Sequence, residues 1–288
     1  MTLPQFTGDV SVLLGAVKRA EDAGLDSVWV FDHMWPLGAK RRPLLEGWSL
    51  LAFLAAHTDA IGIGTLVTRS TMRHPVVLAK MAATVAHMAP GRLIIGVGSG
   101  DDASKVENVA SGLPFYAGEA RTDQLSETVQ VLRSYLHGEP FHVSGEYVEV
   151  AGLPPSPNPG PAPPVWVGGR SRAARSVAAR HADGWNCWGA SPERFATEAR
   201  TVRAEAGDRN VQLSWGGLFV VAENDAEARA KLGSRDPRDY LVGGAQVVPD
   251  RLAALVEAGA EHIIATFPDA GGVGNYEILG AVRDSLRS

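Results

Sequence analysis

Phe31-Asp32-His33 closes the apolar run Ser27-Val28-Trp29-Val30 and is followed by Met34-Trp35-Pro36. This spacing predicts an imidazole at the carboxyl end of a strand. Histidine has an unperturbed pKa of about 6.5, which suits proton transfer near neutrality. The plainer reading is a ring satisfied by backbone carbonyls at a strand terminus. Two glycine turns also have chemical meaning. Gly96-Val97-Gly98-Ser99-Gly100-Asp101 follows an apolar run, but a dinucleotide fingerprint needs a glycine where Asp101 stands and a helix beginning at once. The next clear helical pattern starts near Thr122. Without a Cβ, such glycines let a flat ligand approach the backbone, with Asp101 and Asp102 facing it. Gly168-Gly169-Arg170-Ser171-Arg172 separates Val165-Trp166-Val167 from a helical stretch. Its amides open that helix and can hold a phosphate, with Arg170 or Ser171 as further donors; ordinary βα-turn geometry explains it equally well. Glu107 is a reserve acid. Trp48, Trp185 and Trp188 either line a pocket or fill a core. His57, His74, His87 and His181 fall at helix ends or in loops, where capping and surface roles are commoner. No HExxH, CxxC or paired-histidine spacing occurs, so no metal site is expected.

The elements that must position these residues alternate between short β-rich runs and helical stretches, the pattern of βα units on a parallel sheet. Eight strands are predicted: Thr2 to Gln5, Ser27 to Phe31, Ile61 to Val67, Arg92 to Val97, Val165 to Val167, Gly184 to Cys187, Leu213 to Val221 and His262 to Phe267. Helices fit between them at Val12 to Ala23, Gly47 to His57, Pro75 to His87, Thr122 to His137, Arg172 to His181, Pro192 to Ala206 and Val248 to Ala258. Gly24 and Gly259 are the expected left-handed helix caps. The expectation is one (β/α)₈ barrel over residues 1–288 with insertions at the C-terminal face, where barrel chemistry sits. Residues 138 to 164 read as an insertion, a hairpin from Phe141 to Val150 around Ser144-Gly145 and a proline-rich return. Glu223 to Gly244 reads as helical at first and then as a loop near the pocket mouth.

A chain of 288 residues that is 45% hydrophobic and 20% charged is ordinary globular material, long enough for such a barrel. Its net charge of -5 offers no footprint for nucleic acid or anionic lipid. Small molecules or other subunits are the expected partners. The single cysteine, Cys187, excludes an internal disulfide framework and fits a reducing compartment. The segment Met1 to Gln5 shows no basic region before an apolar core, and no run approaches the roughly 18 apolar residues of a membrane span. A cytoplasmic location is expected.

Taken in order, several motifs resemble the bacterial luciferase-like superfamily and, within it, the oxidoreductases that depend on the deazaflavin coenzyme F420. They are Ala20-Glu21-Asp22-Ala23-Gly24-Leu25-Asp26 leading to His33, Gly62-Ile63-Gly64-Thr65-Leu66-Val67-Thr68, Arg73-His74-Pro75, Gly91-Arg92-Leu93-Ile94-Ile95-Gly96-Val97-Gly98, Pro164 to Gly169, and Ala182-Asp183-Gly184-Trp185-Asn186. The resemblance implies a barrel that holds an isoalloxazine-like ring against a third-strand bulge, here at Leu66-Val67, often with a non-proline cis peptide. It places Gly98 near the ring and the phosphate-bearing tail near Gly168, Gly169 and Arg170. It makes His33 the active-site base and matches Asp101 to the family's acidic proton donor. Asp32 is expected as structural support or a ring contact. Members commonly pair through barrel helices, which implies a homodimer. Trp35 stands at a different offset from the tryptophan of the sugar-phosphate dehydrogenases, and Glu223 to Gly244 is shorter than many lids. The implied activity is hydride transfer between F420 and an alcohol, carbonyl or activated alkene. Alternatives are an FMN-dependent two-component monooxygenase and a non-catalytic flavin-binding protein.

Overall fold

A computed structural model of the protein describes residues 1–36, 39–138, 141–153, 160–268 and 274–287. Parallel strands β1 (Ser27–Val30), β2 (Gly62–Thr65), β3 (Thr68–Arg69) and β4 (Leu93–Gly98) come first, and β2 and β3 both pair with β4. An antiparallel hairpin, β5 (Phe141–Ser144) and β6 (Glu149–Leu153), interrupts the series. It resumes with β7 (Val165–Gly168), β8 (Gly184–Trp188), β9 (Gln212–Ala222), β10 (Tyr240–Gly244) and β11 (His262–Thr266). Neighbours run β1-β2-β4-β7-β8-β9, and β11 adds to β9. The ring closes through residues 2 and 3. The Thr2 amide donates to the Ala265 carbonyl at 2.9 Å, the Leu3 amide to that of Trp29 at 2.9 Å, and Thr2 bridges Trp29 in parallel. The expected first strand is thus a single bridge that serves as the eighth stave.

The helices are α1 (Val10–Asp22), α2 (Gly47–His57), α3 (Pro75–Met88), α4 (Asp102–Ala110), α5 (Gly118–Leu136), α6 (Arg172–His181), α7 (Pro192–Ala206), α8 (Asp225–Leu232), α9 (Val248–Glu257) and α10 (Gly274–Arg287). Their apolar stripes explain their places. Leu13, Ala16, Val17 and Ala20 bury one face of α1, the spacing of a helix packed on a sheet. The expected caps are present, with Gly24 at φ 72° and Gly259 at φ 102°. One core lies between strands and helices; Trp29, Trp166, Ile264 and Leu66 form a second cluster.

Ring contacts add His262 to that second cluster. Its imidazole stands edge-on to Trp29 and Trp166, with centroids 5.7 and 5.4 Å away, and its Nε2 lies 3.0 Å from Ser27 Oγ. Burial drives its pKa down from 6.5 to about 4. The neutral ring therefore stabilises the fold fully above pH 6.5, and that contribution is lost as pH falls towards 4, because the unfolded chain binds the proton first. A loss on the order of 3 kcal/mol is expected across this window. Urea midpoints of wild type and His262→Phe between pH 7 and pH 4 check it; equal slopes for the two proteins would refute it.

Two expectations are corrected. Helix α4 begins directly after the glycine turn, where no helix was predicted before Thr122, and α5 starts at Gly118. Polar side chains start α4: Asp101 accepts from the Ser104 amide at 2.9 Å while Ser104 Oγ accepts from the Asp101 amide at 2.8 Å. With Val106 and Val109 exposed, the apolar periodicity that would announce this helix is missing. Second, Tyr240 to Gly244 is not a loop at the pocket mouth but strand β10, paired in parallel with Leu218 to Ala222 of the unusually long β9.

The hairpin between α5 and β7 forms as expected, with Ser144 paired to Glu149 across its turn. It connects a helix to a strand, and Val148 and Val150 pack on Val131, away from the α5 residues that face the barrel. Prolines 154, 155, 157 and 159 lie outside the described residues. The hairpin tip is held by the Glu127 carboxylate, which accepts from the amides of Glu146, Tyr147 and Val148 at 2.9, 2.9 and 2.7 Å. Glu127→Ala is expected to cost about 1 to 3 kcal/mol and to speed proteolysis at the tip. Denaturant titration and limited digestion measure both, and an unchanged cleavage rate would refute it.

Candidate active site

A cleft of about 550 Å³ opens among the residues at and beyond the carboxyl ends of β1, β3, β4, β7 and β8, the end of a barrel where ligands bind. Its floor is Val67. The Leu66–Val67 peptide bond is cis, and the Val67 side chain fits into a space that three glycines leave. A Cβ added to Gly98 would stand 2.7 Å from Val67 Cγ2, one on Gly168 2.8 Å from Cγ1, and one on Gly96 3.0 Å from Cγ1. Gly98 and Gly168 line the cleft beside Val67, whose isopropyl group occupies the space that a Cβ on either would need.

His33 stands on one wall. Strand β1 ends at Val30, so strict alternation no longer governs Asp32 and His33. His33 lines the cleft, whereas Asp32 is buried. Asp32 accepts from Arg73 Nη1 at 2.6 Å, from Arg73 Nη2 at 3.0 Å and from the Thr68 hydroxyl. Trp48 Nε1 donates to the same Thr68 oxygen at 3.2 Å, and Arg73 also pairs with Glu46, which caps α2. Asp32 lies outside the cleft lining and ties the His33 loop to β3 and α2. Gln5 holds the loop from the other side: Nε2 donates to the Phe31 and Leu45 carbonyls at 2.8 and 2.7 Å, and Oε1 accepts from the Phe31 amide at 2.7 Å.

Behind His33 the polar chain continues. His33 Nδ1 lies 2.9 Å from Oε2 of buried Glu107, whose Oε1 accepts from the Trp35 amide at 3.3 Å. Arg69 Nη2 donates to Glu107 Oε2, and Arg69 Nη1 to the Ser104 carbonyl and Asn108 Oδ1 at 2.9 Å each. Burial works against the charge on Glu107. The His33 hydrogen bond and charge, Arg69 and the Trp35 amide outweigh it and hold the carboxyl below its usual range. Asp101 and Asp102 line the cleft as expected, but Asp101 Oδ1 is engaged in capping α4.

The opposite wall is the turn Gly168-Gly169-Arg170-Ser171. Ser171 caps α6 through the Ala174 amide at 3.1 Å, and Gly169 has φ 148°. Arg170 Nη1 donates to the Trp188 carbonyl at 3.0 Å. Of the three tryptophans singled out, only Trp188 lines the cleft; Trp48 and Trp185 are buried. Sequence reasoning missed Gln5, Arg69, Arg73, Arg121 and Asn186. The last two line the cleft; Arg73 and Asn186 stand within quoted motifs without a role assigned to them, and no local pattern marks the other three. An apolar floor, an imidazole on one side and a helix N-terminus on the other fit a flat ring with an anionic tail.

The family model described as luciferase-like monooxygenase matches residues 4–263. The chain belongs to the luciferase-like monooxygenase family. This luciferase-like chain is 32% identical over 189 residues to the F420-dependent glucose-6-phosphate dehydrogenase of Beutenbergia cavernae, covering 65% of this chain and 55% of the relative. It is 30% identical over 223 residues to the F420-dependent hydroxymycolic acid dehydrogenase of Mycobacterium tuberculosis, covering 76% and 61% respectively. The chain therefore spans little more than half the length of these curated relatives. Among solved structures, an F420-dependent secondary alcohol dehydrogenase in complex with an F420-acetone adduct superposes with TM-score 0.82 at 21% identity, over 96% of this chain and 94% of that one. That likeness shows the luciferase-like barrel fold. No helix among the described residues is long and apolar enough to cross a membrane.

Proposed function

We propose that this protein transfers a hydride between coenzyme F420 and a small organic substrate, at an alcohol or carbonyl or at an activated alkene, with His33 as the proton carrier. The observation that carries this reading is the imidazole held at the cleft by Glu107, in a chain whose curated relatives are named F420-dependent dehydrogenases. Val67 would support the ring, with Gly98 and Gly168 beside it. The α6 amides, with Arg170 near them, would receive the anionic tail. Bound there, the deazaflavin would accept the hydride when the substrate is oxidised and donate it when the substrate is reduced.

The protein's own part is proton handling. His33 takes the substrate hydroxyl proton at Nε2 in the oxidising direction, since Nδ1 is committed to Glu107, and returns it in the reducing direction. Asp101 lies in the same cleft as a second candidate proton donor, although its cap bonds hold one oxygen. The same reading makes the protein a cytoplasmic homodimer.

The test is a side-by-side titration with F420 and with FMN, followed by quenching of tryptophan emission, for which Trp188 at the cleft is the reporter. Micromolar F420 binding with weak FMN binding is expected. The reverse would favour a two-component monooxygenase, and binding of neither would sink both readings.

A further inference from the structure

One carboxylate oxygen serves two cations of different kinds. Glu107 Oε2 meets His33 Nδ1 at 2.9 Å and also receives Arg69 Nη2. An imidazole is a side chain that can gain or lose a proton, whereas a guanidinium keeps its charge. We propose that Glu107 and Arg69 are opposed positioning residues that set how readily His33 takes up a proton, Glu107 favouring the charged ring and Arg69 restraining it. This rests on the reading of His33 as the proton carrier.

Both residues are built for the task. The Glu107 side chain is wholly buried and that of Arg69 is 4% exposed, so charges interact more strongly here than in water. An ionised Glu107 accepts from Nδ1–H, which leaves Nε2 as the nitrogen for the cleft. Arg69 cannot swing away to share the cleft charge. Its Nη1 is fixed by the Ser104 carbonyl and Asn108, and its Nη2 also contacts Met72 Sδ at 3.2 Å. Protonating His33 therefore places a second cation on an oxygen already claimed by the guanidinium. Without Arg69, His33 would be the sole claimant. Without the charge on Glu107, an imidazolium would face the guanidinium with no anion between them.

The other charges nearby are Asp101 and Asp102 at the start of α4, Arg121 on α5 and Arg170 after β7, all lining the cleft. Lys40 lies over the Trp35 ring, and Asp32, adjacent to His33, is committed to Arg73. Among the described residues, the one side-chain hydrogen bond of the His33 ring is the one that Glu107 Oε2 accepts.

The experiment is an NMR titration of the His33 ring in the cofactor-free full chain, for wild type, Glu107→Gln, Arg69→Met and Arg69→Lys. Glu107→Gln is expected to move the titration midpoint down by about one pH unit and Arg69→Met to move it up by a similar amount. Arg69→Lys, which keeps the charge, is expected to stay closer to wild type. The pH profile of kcat/KM should shift in the same opposite directions. Midpoints that move together, or not at all, would overturn the proposal, since a merely structural role predicts no opposed shifts. If Glu107→Gln fails to fold because Arg69 is left buried without its anion, the two Arg69 variants decide alone. Failure of F420 to bind would remove the proposed function and leave this titration result standing.

Discussion

His33→Ala is expected to lower kcat about 10²- to 10⁴-fold, the usual contribution of a positioned proton carrier, while F420 affinity changes little. The geometry separates the two effects. His33 lies on the wall and contacts its partner through Nδ1, whereas the proposed contacts to the ring and the anionic tail are Val67 and the α6 turn. The substitution leaves Glu107 with Arg69 as its partner, so no buried charge is stranded and the fold should persist. Steady-state kinetics beside the fluorescence titration measure both quantities. Retained turnover with weakened binding would make His33 a ligand contact, and no change in either would remove His33 from the reaction.

Gly98→Ala is expected to weaken F420 binding at least tenfold, or about 1.4 kcal/mol, and to destabilise the fold by about 1 to 3 kcal/mol through overpacking. The new Cβ would stand 2.7 Å from Val67 Cγ2 and 3.4 Å from the Gly168 carbonyl oxygen. Gly168→Ala strikes the same side chain from the other side, 2.8 Å from Cγ1. Because the clash needs both partners, Val67→Ala in the Gly98→Ala background should recover most of the lost stability, a non-additivity that a double-mutant cycle detects. Binding should stay weak in the double variant, since the floor has been removed. Independent, additive costs at the two positions would show that the glycines are conserving backbone geometry for some other reason than Val67.

How far the site was legible can be judged from individual residues. His33 was legible because a strand end is a local pattern: Ser27 to Val30 are wholly buried in β1, as parallel barrel strands are. The Gly168-Gly169 turn was legible for the same reason, as a glycine pair between an apolar run and a helix. Asp101 was found as a cleft residue, but its work as the cap of α4 was not, because α4 hides few apolar residues and its start depends on polar bonds. The proton-donor role implied for Asp101 competes with that cap. Glu107 was seen only as a reserve acid, and Arg69 was not seen at all.

By itself the sequence determined the alternating elements, the barrel class, the glycine helix ends and the placement of an imidazole at a strand's carboxyl end. Each follows from forces acting within a few residues: side-chain period, backbone freedom at glycine, and the burial of short apolar runs. Only the tertiary structure decided that Glu107, 74 residues from His33 in the chain, stands behind the ring, that Arg69 shares its oxygen, and that Val67 occupies the space over three glycines. Those contacts arise where the ends of β1, β3 and β4 and the start of α4 converge. Packing of whole elements sets that convergence, and no local spacing encodes it.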